Sequence, residues 1–476
     1  MFKNPAKIVL ALFAVSAAAV FAYAMAILEP PLGQVAVFVL GLAFILIPVI
    51  FKSPKIGLFL VAFFLPFERI PSLEMGGVTF KIDHFLIPLV FLLVVLKILL
   101  DRKFNIPKDP IRTMIIIFIF ALGLSLPIAL NQGRALQVFA FMILMLLIYL
   151  IVTLVVKDKQ TLVFVLKGLL LGSAVAGIFA LYQFLGDMAG LPPALTLLKE
   201  GYDQSTFGFA RVQAMSAEPL YFANYIFIPI FLCLLLIVRG EVNKILGRSL
   251  AIILSVTLLI DFVLTVSRGA YIAAVAAGLA LIILQAKLVL TWKSILGGIL
   301  ILFLVAGGSY LALLKSEPRA LDEFLAHVAL EDREKGESVV LRAKTMTEGW
   351  EMFRNNWMRG VGLGNFGVSY LNDPIAPPSE GWPIVNNEYI EILAEGGIMA
   401  FIPFILLIIL IFFRGIAAFL KTGDKLLKTI LMAFLLAFFA ILVQYLTFST
   451  LYIIYIWFLI GLIGAVSNVV AEKEPR

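Results

Sequence analysis

Two arginines of this 476-residue chain lie at positions where an arginine without a binding partner would be costly. Arg268 occupies a tight turn between two apolar runs, and a guanidinium at membrane depth costs at least about 2.5 kcal/mol. Arg211 precedes a further apolar run that begins near Pro219. Guanidinium groups bind phosphate through paired hydrogen bonds, so the two arginines predict a site for a phosphorylated ligand near a lipid surface. The structural alternative for Arg268 is an ion pair with Asp261, about two helical turns earlier.

Two carboxylates are candidates for proton transfer. Glu218 stands immediately before Pro219, a residue typical of a helix start. Glu395 follows Glu388 and Glu391 at spacings that place all three on one helix face. Glu388 is explained by the dipole of the helix start, whereas Glu395 lies deeper and is a candidate general base.

A long polar segment, residues 315–388, interrupts the apolar chain and leads into two motif-like runs. The first run, 360–366, has glycines at alternate positions, which allow close backbone approach. It is not a dinucleotide-binding fingerprint, because no strand or βαβ unit surrounds it. The second run, 385–397, contains adjacent asparagines, glutamates and a pair of glycines. Loops held by a rigid scaffold often carry function, so this segment is the predicted location of chemistry.

Residues 339–357 predict an amphipathic helix within that polar segment. Met346, Trp350, Phe353 and Trp357 recur at helical spacing on the side opposite Arg342. This pattern is typical of a helix that lies in the headgroup region of a membrane. A helix that only packs against the protein is equally compatible.

The elements that position these residues are membrane helices. The chain is 62% hydrophobic and 14% charged, whereas soluble domains are about 45–50% apolar and about 25% charged. Its apolar runs are about 20 residues long, the length of transmembrane helices. About fourteen spans are predicted, at residues 8–28, 32–51, 56–71, 84–100, 111–130, 135–156, 161–186, 219–239, 248–266, 269–290, 294–314, 389–413, 426–447 and 450–468.

The distribution of basic residues predicts the orientation of these spans. With a cytoplasmic N-terminus, about 23 lysines and arginines fall in inner loops and about six in the short outer loops, as the positive-inside rule requires. Both termini are then cytoplasmic, and the segment 315–388 is extracytoplasmic. Arg211, Arg268 and the two motif-like runs all fall on that outer face. The net charge of +7 is therefore an orientation signal, and nucleic acid is disfavoured as a partner.

Cysteine and histidine are too few for the common metal sites. The single cysteine, Cys233, lies in an apolar run, and the two histidines are His84 and His327. A disulfide framework and a Cys- or His-based metal site are therefore not expected. No cofactor is predicted.

The order of these motifs resembles the O-antigen ligase and O-antigen polymerase superfamily. The resemblance rests on Arg211, Ser-Arg-Gly-Ala at 267–270, the amphipathic helix, Gly-Val-Gly-Leu-Gly-Asn-Phe at 360–366 and the run 385–397. It implies an all-α, polytopic glycosyltransferase of the membrane-embedded class, inverting and independent of metal. Such proteins transfer a glycan from undecaprenyl pyrophosphate to an acceptor hydroxyl on the outer side of the bacterial inner membrane.

The resemblance also implies roles for individual residues. Arg211 and Arg268 would hold the donor pyrophosphate, with Glu218 or Glu395 accepting the proton of the attacking hydroxyl. The further candidates for substrate binding are Arg342, Asn365, Asn386, Asn387, Glu388 and Tyr389. The expected partners are the lipid-linked oligosaccharide, the acceptor glycan and the lipid bilayer, and a chain-length regulator is a further candidate.

One departure from the ligase pattern favours one branch of the family over the other. Ligases of this kind carry a histidine where this chain has Asn386, and an asparagine cannot accept a proton. The sequence therefore favours a polymerase of lipid-linked repeat units. The alternatives are a ligase that moves finished polymer to lipid A core or another acceptor, and a non-enzymatic flippase. The predicted organisation is helices in 1–314, an extracytoplasmic loop at 315–388, and helices with a short cytoplasmic tail in 389–476.

Overall fold

The computed structural model describes eight stretches of the chain. These are residues 46–70, 72–75, 78–101, 108–203, 209–289, 337–373, 381–449 and 451–473. The predicted spans 8–28 and 294–314, most of 32–51, and residues 315–336 of the predicted loop with His327 lie outside the described residues.

The described residues form 15 α-helices, two 3-10 helices (Leu126–Ile128 and Val242–Lys244) and one β-hairpin. In chain order the helices are α1 (Leu46–Lys52), α2 (Pro54–Phe64), α3 (Ile82–Leu100), α4 (Pro110–Gly123), α5 (Gln132–Val155), α6 (Lys159–Met188), α7 (Pro193–Thr196), α8 (Pro219–Val238), α9 (Arg248–Leu264), α10 (Arg268–Val289), α11 (Glu337–Asn355), α12 (Phe366–Leu371), α13 (Glu388–Lys421), α14 (Lys425–Gln444) and α15 (Ile454–Lys473). The strands β1 (Ser72–Met75) and β2 (Val78–Lys81) pair antiparallel and lead directly into α3.

The prediction of an all-α membrane bundle is confirmed. Nine described helical segments are long and apolar enough to cross a membrane, one of them being α4 extended to Ile128 by the 3-10 turn that follows it. The bent pair of α1 and α2, at 118°, would make a tenth. Every predicted span that lies in the described part of the chain coincides with a helix, although α2, α4 and α9 are short, at 11, 14 and 17 residues. The total of about fourteen stays a prediction, because part of the chain is not described.

Short polar side chains begin several of these helices. Asp109 accepts a hydrogen bond from the backbone N–H of Ile111 at the start of α4, and Asp158 accepts one from Thr161 at the start of α6. Asn387 does the same for Ile390 at the start of α13. Each cap satisfies one of the four N–H groups that a helix start leaves without an intrahelical partner.

Glycines bring some of the helices into unusually close contact. A Cβ on Gly168 of α6 would lie 2.6 Å from the carbonyl oxygen of Phe59 in α2, and one on Gly172 would overlap the backbone of Phe63. Small residues are common at such membrane-helix interfaces, where association depends on tight packing. The most enclosed helices are α8, α14 and α15, which therefore form the centre of the bundle.

One end of the bundle, called the site end here, collects the starts of α8, α10 and α13. The backbone N–H of Glu388, the first residue of α13, donates to Tyr445 after the end of α14. The N–H of Val212, ahead of α8, donates to Leu264 at the end of α9. These hydrogen bonds join the connections between helices into one layer. The described part of the long polar segment, with α11 and α12, packs onto the same end through α13.

Candidate active site

A cavity of about 200 Å³ opens at the site end of the bundle. It is formed where α8 and α10 begin and where α11 approaches them. Its lining comprises Tyr202, Arg211, Glu218, Pro219, Leu220, Val266, Ser267, Arg268, Gly269 and Arg342. Three arginines and one glutamate from three segments, namely the connection ahead of α8, the start of α10, and α11, therefore meet in one place, and we call this the arginine cavity.

Arg211 is fixed by the turn that carries Arg268. Its Nε donates to the carbonyl oxygen of Thr265 and its Nη2 to that of Val266, both at 3.2 Å. Val266 has a φ of +49°, which is uncommon for a β-branched residue and places its carbonyl within reach of the guanidinium. Burial lowers the pKa of Arg211, and the nearby Tyr202 opposes that effect.

Arg268 is the first residue of α10, and its placement depends on the glycine that follows. A Cβ on Gly269 would overlap the side-chain hydroxyl of Thr447, so only glycine lets α10 begin this close to the segment between α14 and α15. Asp261, the sequence-based alternative partner, is fully buried on α9 and faces Gly177 of α6. Neither carboxylate oxygen of Asp261 makes a hydrogen bond among the described residues, so it does not act as a hydrogen-bonded partner of Arg268.

Arg342 reaches the cavity from α11, the amphipathic helix that the sequence predicts. Burial lowers the pKa of Arg342, the charge of Glu218 raises it, and the charge of Arg268 lowers it, which indicates that the three groups share one electrostatic environment. On the same helix Trp350 is about half exposed, with 47% of its surface accessible. Met346, in contrast, packs against Phe366 and Val385. Of the predicted stripe, Met346 therefore packs inside the protein, whereas Trp350 is partly exposed.

Glu218 and Tyr202 complete the arginine cavity. Glu218 precedes α8 with extended backbone and lies 3.8 Å from the Nζ of Lys199. Tyr202 lines the cavity together with Glu218, and its ring lies 5.5 Å from the guanidinium carbon of Arg211. Burial and the negative charge of Glu218 raise the pKa of Tyr202 to about 12. Sequence reasoning missed Tyr202, because no motif contains it and only the fold brings it into the cavity.

Glu395 lies elsewhere, against the glycine-rich run 360–366. Its Oε2 accepts a hydrogen bond from the N–H of Gly364 at 2.7 Å, and its Oε1 accepts one from the N–H of Phe366 at 3.0 Å. It does not line the arginine cavity. The role of Glu395 as a proton acceptor remains a prediction. In the structure both of its carboxylate oxygens accept hydrogen bonds from backbone N–H groups of the glycine-rich run.

The side chain of Asn365 joins two loops of the scaffold. Its Oδ1 accepts from the N–H of Asn131 at 2.7 Å, and its Nδ2 donates to the carbonyl oxygens of Asn131 and Leu363. Arg134 donates from its Nε to the carbonyl oxygen of Gly364. The guanidinium carbon of Arg134 lies 5.7 Å from the centre of the Trp382 ring. These contacts join the glycine-rich run to Asn131, which precedes α5, and to the first turn of α5.

The asparagine motif at the start of α13 also contacts backbone. Asn386 has a φ of +61° and donates to the carbonyl of Ile384, while Nδ2 of Asn387 donates to that of Leu446. The hydroxyl of Tyr389 donates to the carbonyl of Leu442 at 2.8 Å. Glu388 is buried beside a small void that Glu391 and Glu395 also line. The structure thus brings Arg211, Arg268, Arg342 and Glu218 together, and places the other predicted site residues in a neighbouring group.

Comparison with known protein families agrees with the motif-level resemblance. Residues 253–405, roughly a third of the chain, match the family described as O-Antigen ligase. This match supports the resemblance of the chain to the O-antigen ligase and polymerase superfamily. The O-antigen ligase segment contains Arg268, Arg342 and both motif-like runs, whereas Arg211, Glu218 and Tyr202 precede it. No curated protein matches the chain. The family implies a glycosyltransferase-type enzyme of the ligase or polymerase kind.

Among the described residues, no group of three or more His, Cys, Asp or Glu side chains is placed to hold a metal ion.

Proposed function

We propose that this protein is a polymerase of lipid-linked polysaccharide repeat units. It transfers a glycan from undecaprenyl pyrophosphate to the hydroxyl of an acceptor sugar on the extracytoplasmic face of the bacterial inner membrane. The observation that carries the proposal is the meeting of Arg211, Arg268 and Arg342 in one cavity. Three guanidinium groups against the single carboxylate of Glu218 leave an excess of positive charge, which suits a diphosphate.

The chemistry needs charge stabilisation more than covalent catalysis. The acceptor oxygen attacks the anomeric carbon of the donor from the face opposite the pyrophosphate, and the bond from that carbon to the phosphate oxygen breaks. Negative charge develops on the departing pyrophosphate, where preorganised guanidinium groups stabilise the transition state. Glu218 accepts the proton that the attacking hydroxyl loses. Attack from the opposite face inverts the configuration of the sugar.

The arginines take the charge-neutralising role that a divalent cation has in many other transferases. The reaction is therefore expected to proceed without added metal. Transfer by the purified protein in nanodiscs should be unchanged by a chelator. A fall in rate that only added divalent cation restores would contradict this part of the proposal.

The direct test measures chain lengthening by the purified protein supplied with lipid-linked repeat units. Arg211→Ala and Arg268→Ala should each abolish polymer formation while the protein remains in the membrane at its usual level. Arg354→Ala is the matched control, because Arg354 is exposed at the far end of α11. Wild-type polymer from both cavity variants would contradict the proposal, as would flipping of a labelled lipid carrier without any polymer.

A ligase is the second candidate, because the matched family carries that description. The polymerase is preferred because the resemblance implies a histidine in ligases where this chain has Asn386. The two activities leave different products when the protein is deleted. Loss of a polymerase leaves single repeat units, whereas loss of a ligase leaves long polymer still attached to its lipid carrier.

A further inference from the structure

We infer that Glu391 and Glu395 of α13 are positioning residues that dock α11 so that Arg342 enters the arginine cavity. This inference rests on the proposed function, because it gives Arg342 a part in binding the pyrophosphate. It assigns the two carboxylates a role in holding backbone rather than in proton transfer. The argument starts from a break in α13.

Helix α13 is interrupted at Gly397, which has φ +60° and ψ −166°. In a continuous α-helix the N–H groups of Ile398 and Met399 would donate to the carbonyls of Ala394 and Glu395, four residues earlier. The break separates these two donors from their two acceptors. All four backbone groups therefore need partners from elsewhere, because an unpaired buried polar group is costly.

The segment 357–362, which follows α11, supplies all four partners. Ile398 donates to the carbonyl of Trp357 at 2.9 Å, and Met399 donates to that of Met358 at 3.3 Å. In return, the N–H of Val361 donates to Ala394 at 2.8 Å and the N–H of Gly362 donates to Glu395 at 3.0 Å. The segment thus replaces two hydrogen bonds of the helix with four hydrogen bonds to itself, and it fixes the C-terminal end of α11 on α13.

The side chain of Glu395 extends this attachment along the glycine-rich run. Its two oxygens accept from the N–H groups of Gly364 and Phe366. A Cβ on Gly360 would overlap the backbone of Ala394 and Glu395, and a Cβ on Gly397 would overlap that of Met358. The glycines are therefore needed for close approach, and the carboxylate holds the approaching backbone in place.

Glu391 is connected to the middle of α11 through Val385. Its Oε2 accepts from the N–H of Val385 at 2.9 Å, and the carbonyl of Val385 accepts from the hydroxyl of Thr345 at 3.1 Å. The same hydroxyl shares its proton with the carbonyl oxygen of Arg342, one helical turn earlier and also at 3.1 Å. Gly349 of α11 lies against Val385 and Ile390. A short chain of contacts therefore leads from Glu391 to the turn of α11 that carries Arg342.

The first test measures the affinity for undecaprenyl pyrophosphate of purified protein in nanodiscs. Thr345→Val removes the hydroxyl that contacts Val385 and should weaken binding of undecaprenyl pyrophosphate about tenfold. Thr345→Ser keeps a hydroxyl at this position and should bind with the affinity of the wild type. Thr347→Val is the matched control, because the exposed Thr347 hydroxyl bonds only within its own helix, to Ala343. Its affinity should equal that of the wild type.

A double-mutant cycle separates positioning of Arg342 from general damage. In an Arg342→Ala background, Thr345→Val and Glu391→Gln should each change the affinity less than twofold, because the group that they position is gone. The same loss in both backgrounds would overturn the inference. So would wild-type affinity in Thr345→Val, Glu391→Gln and Glu395→Gln.

Hydrogen exchange tests the attachment without any lipid. Glu395→Gln should speed amide exchange in peptides covering residues 361–366, and Glu391→Gln should do so around residue 385 and in α11, while Thr347→Val should not. Unchanged exchange in both glutamine variants would overturn the inference. If the wild type binds no undecaprenyl pyrophosphate, the proposed function fails, and the exchange result still decides whether the carboxylates hold α11.

Discussion

Arg211 donates a hydrogen bond from its Nη2 to the carbonyl oxygen of Val266, the residue two positions before Arg268. Together with the hydrogen bond from Nε to Thr265, this contact fixes the separation of two positive charges that would otherwise repel each other. The turn therefore positions Arg268 and holds Arg211 at the same time. Each prediction about the arginine cavity depends on this arrangement.

Arg211→Lys should lower kcat/KM for the lipid-linked donor by about 10- to 100-fold, roughly 1.4 to 2.7 kcal/mol in transition-state stabilisation. Lysine keeps the charge but has no planar fork that could donate to both Thr265 and Val266. The measurement is the initial rate of glycan transfer at several donor concentrations, with Arg354→Lys as the control. A lysine variant as active as the wild type would mean that charge alone is required at this position.

Tyr202→Phe should reduce turnover about 3- to 10-fold, because it removes a hydroxyl that interacts with Glu218, and one polar contact is worth about 1 kcal/mol. The ring beneath Arg211 is retained, so affinity for undecaprenyl pyrophosphate should change less than twofold. Tyr202→Leu removes the ring as well and should lower both the turnover and the affinity for undecaprenyl pyrophosphate. Equal effects of the two substitutions on affinity would contradict the division of Tyr202 into a ring that supports Arg211 and a hydroxyl that orients Glu218.

The pH dependence of stability offers a second measure of Tyr202. Its folded-state pKa is raised to about 12, above the ordinary value of 10.0. A raised pKa means that the folded state retains the proton longer, so this contribution to stability is complete below pH 10 and is lost as the pH rises towards 12. Thermal unfolding midpoints of wild type and Tyr202→Phe should therefore converge over that interval.

Gly397→Ala should destabilise the protein by about 2 to 4 kcal/mol, because alanine resists the left-handed φ and its Cβ would overlap Met358. Gly278→Ala is the control: Gly278 lies within α10 and has open space where the Cβ would be placed. Alanine there should be neutral or stabilise by up to about 1 kcal/mol. The thermal midpoint in detergent distinguishes the two, and equal midpoints would argue against a required break.

The orientation of the bundle can be tested by cysteine labelling in intact spheroplasts. Asn355→Cys, at the exposed end of α11, should react with a membrane-impermeant maleimide, whereas Lys425→Cys, at the start of α14, should react only after lysis. The native Cys233 is 1% exposed and should remain unlabelled in folded protein. Labelling of Lys425→Cys from outside would reverse the predicted orientation and place the arginine cavity in the cytoplasm.

The membrane helices could be predicted from the sequence because each apolar run is a local property. The capping residue Asn387 and the early end of α2 at Phe64, before Pro66, are local in the same sense. The break at Gly397 could not be predicted, because it depends on segment 357–362. The composition of α13 alone indicates one uninterrupted span.

The candidate site was predictable in part for a similar reason. Arg211 and Arg268 are informative because an arginine near lipid needs a partner, and counting spans places both on one face. Asn365 and Asn387 are less informative, because an amide that could bind a sugar hydroxyl binds a backbone carbonyl equally well. Tyr202 gives no sequence signal, because only the fold brings it to Glu218.

The break at Gly397 has a consequence for biogenesis. A helix entering a bilayer normally satisfies its own backbone, because lipid offers neither donors nor acceptors. Here four backbone groups of α13 form their hydrogen bonds with residues 357–362. These residues precede α13 in the chain and are translated first. Residues 357–362 are therefore synthesised before the helix that needs their hydrogen bonds. A circular permutant in which α13 is synthesised first should insert poorly into the membrane.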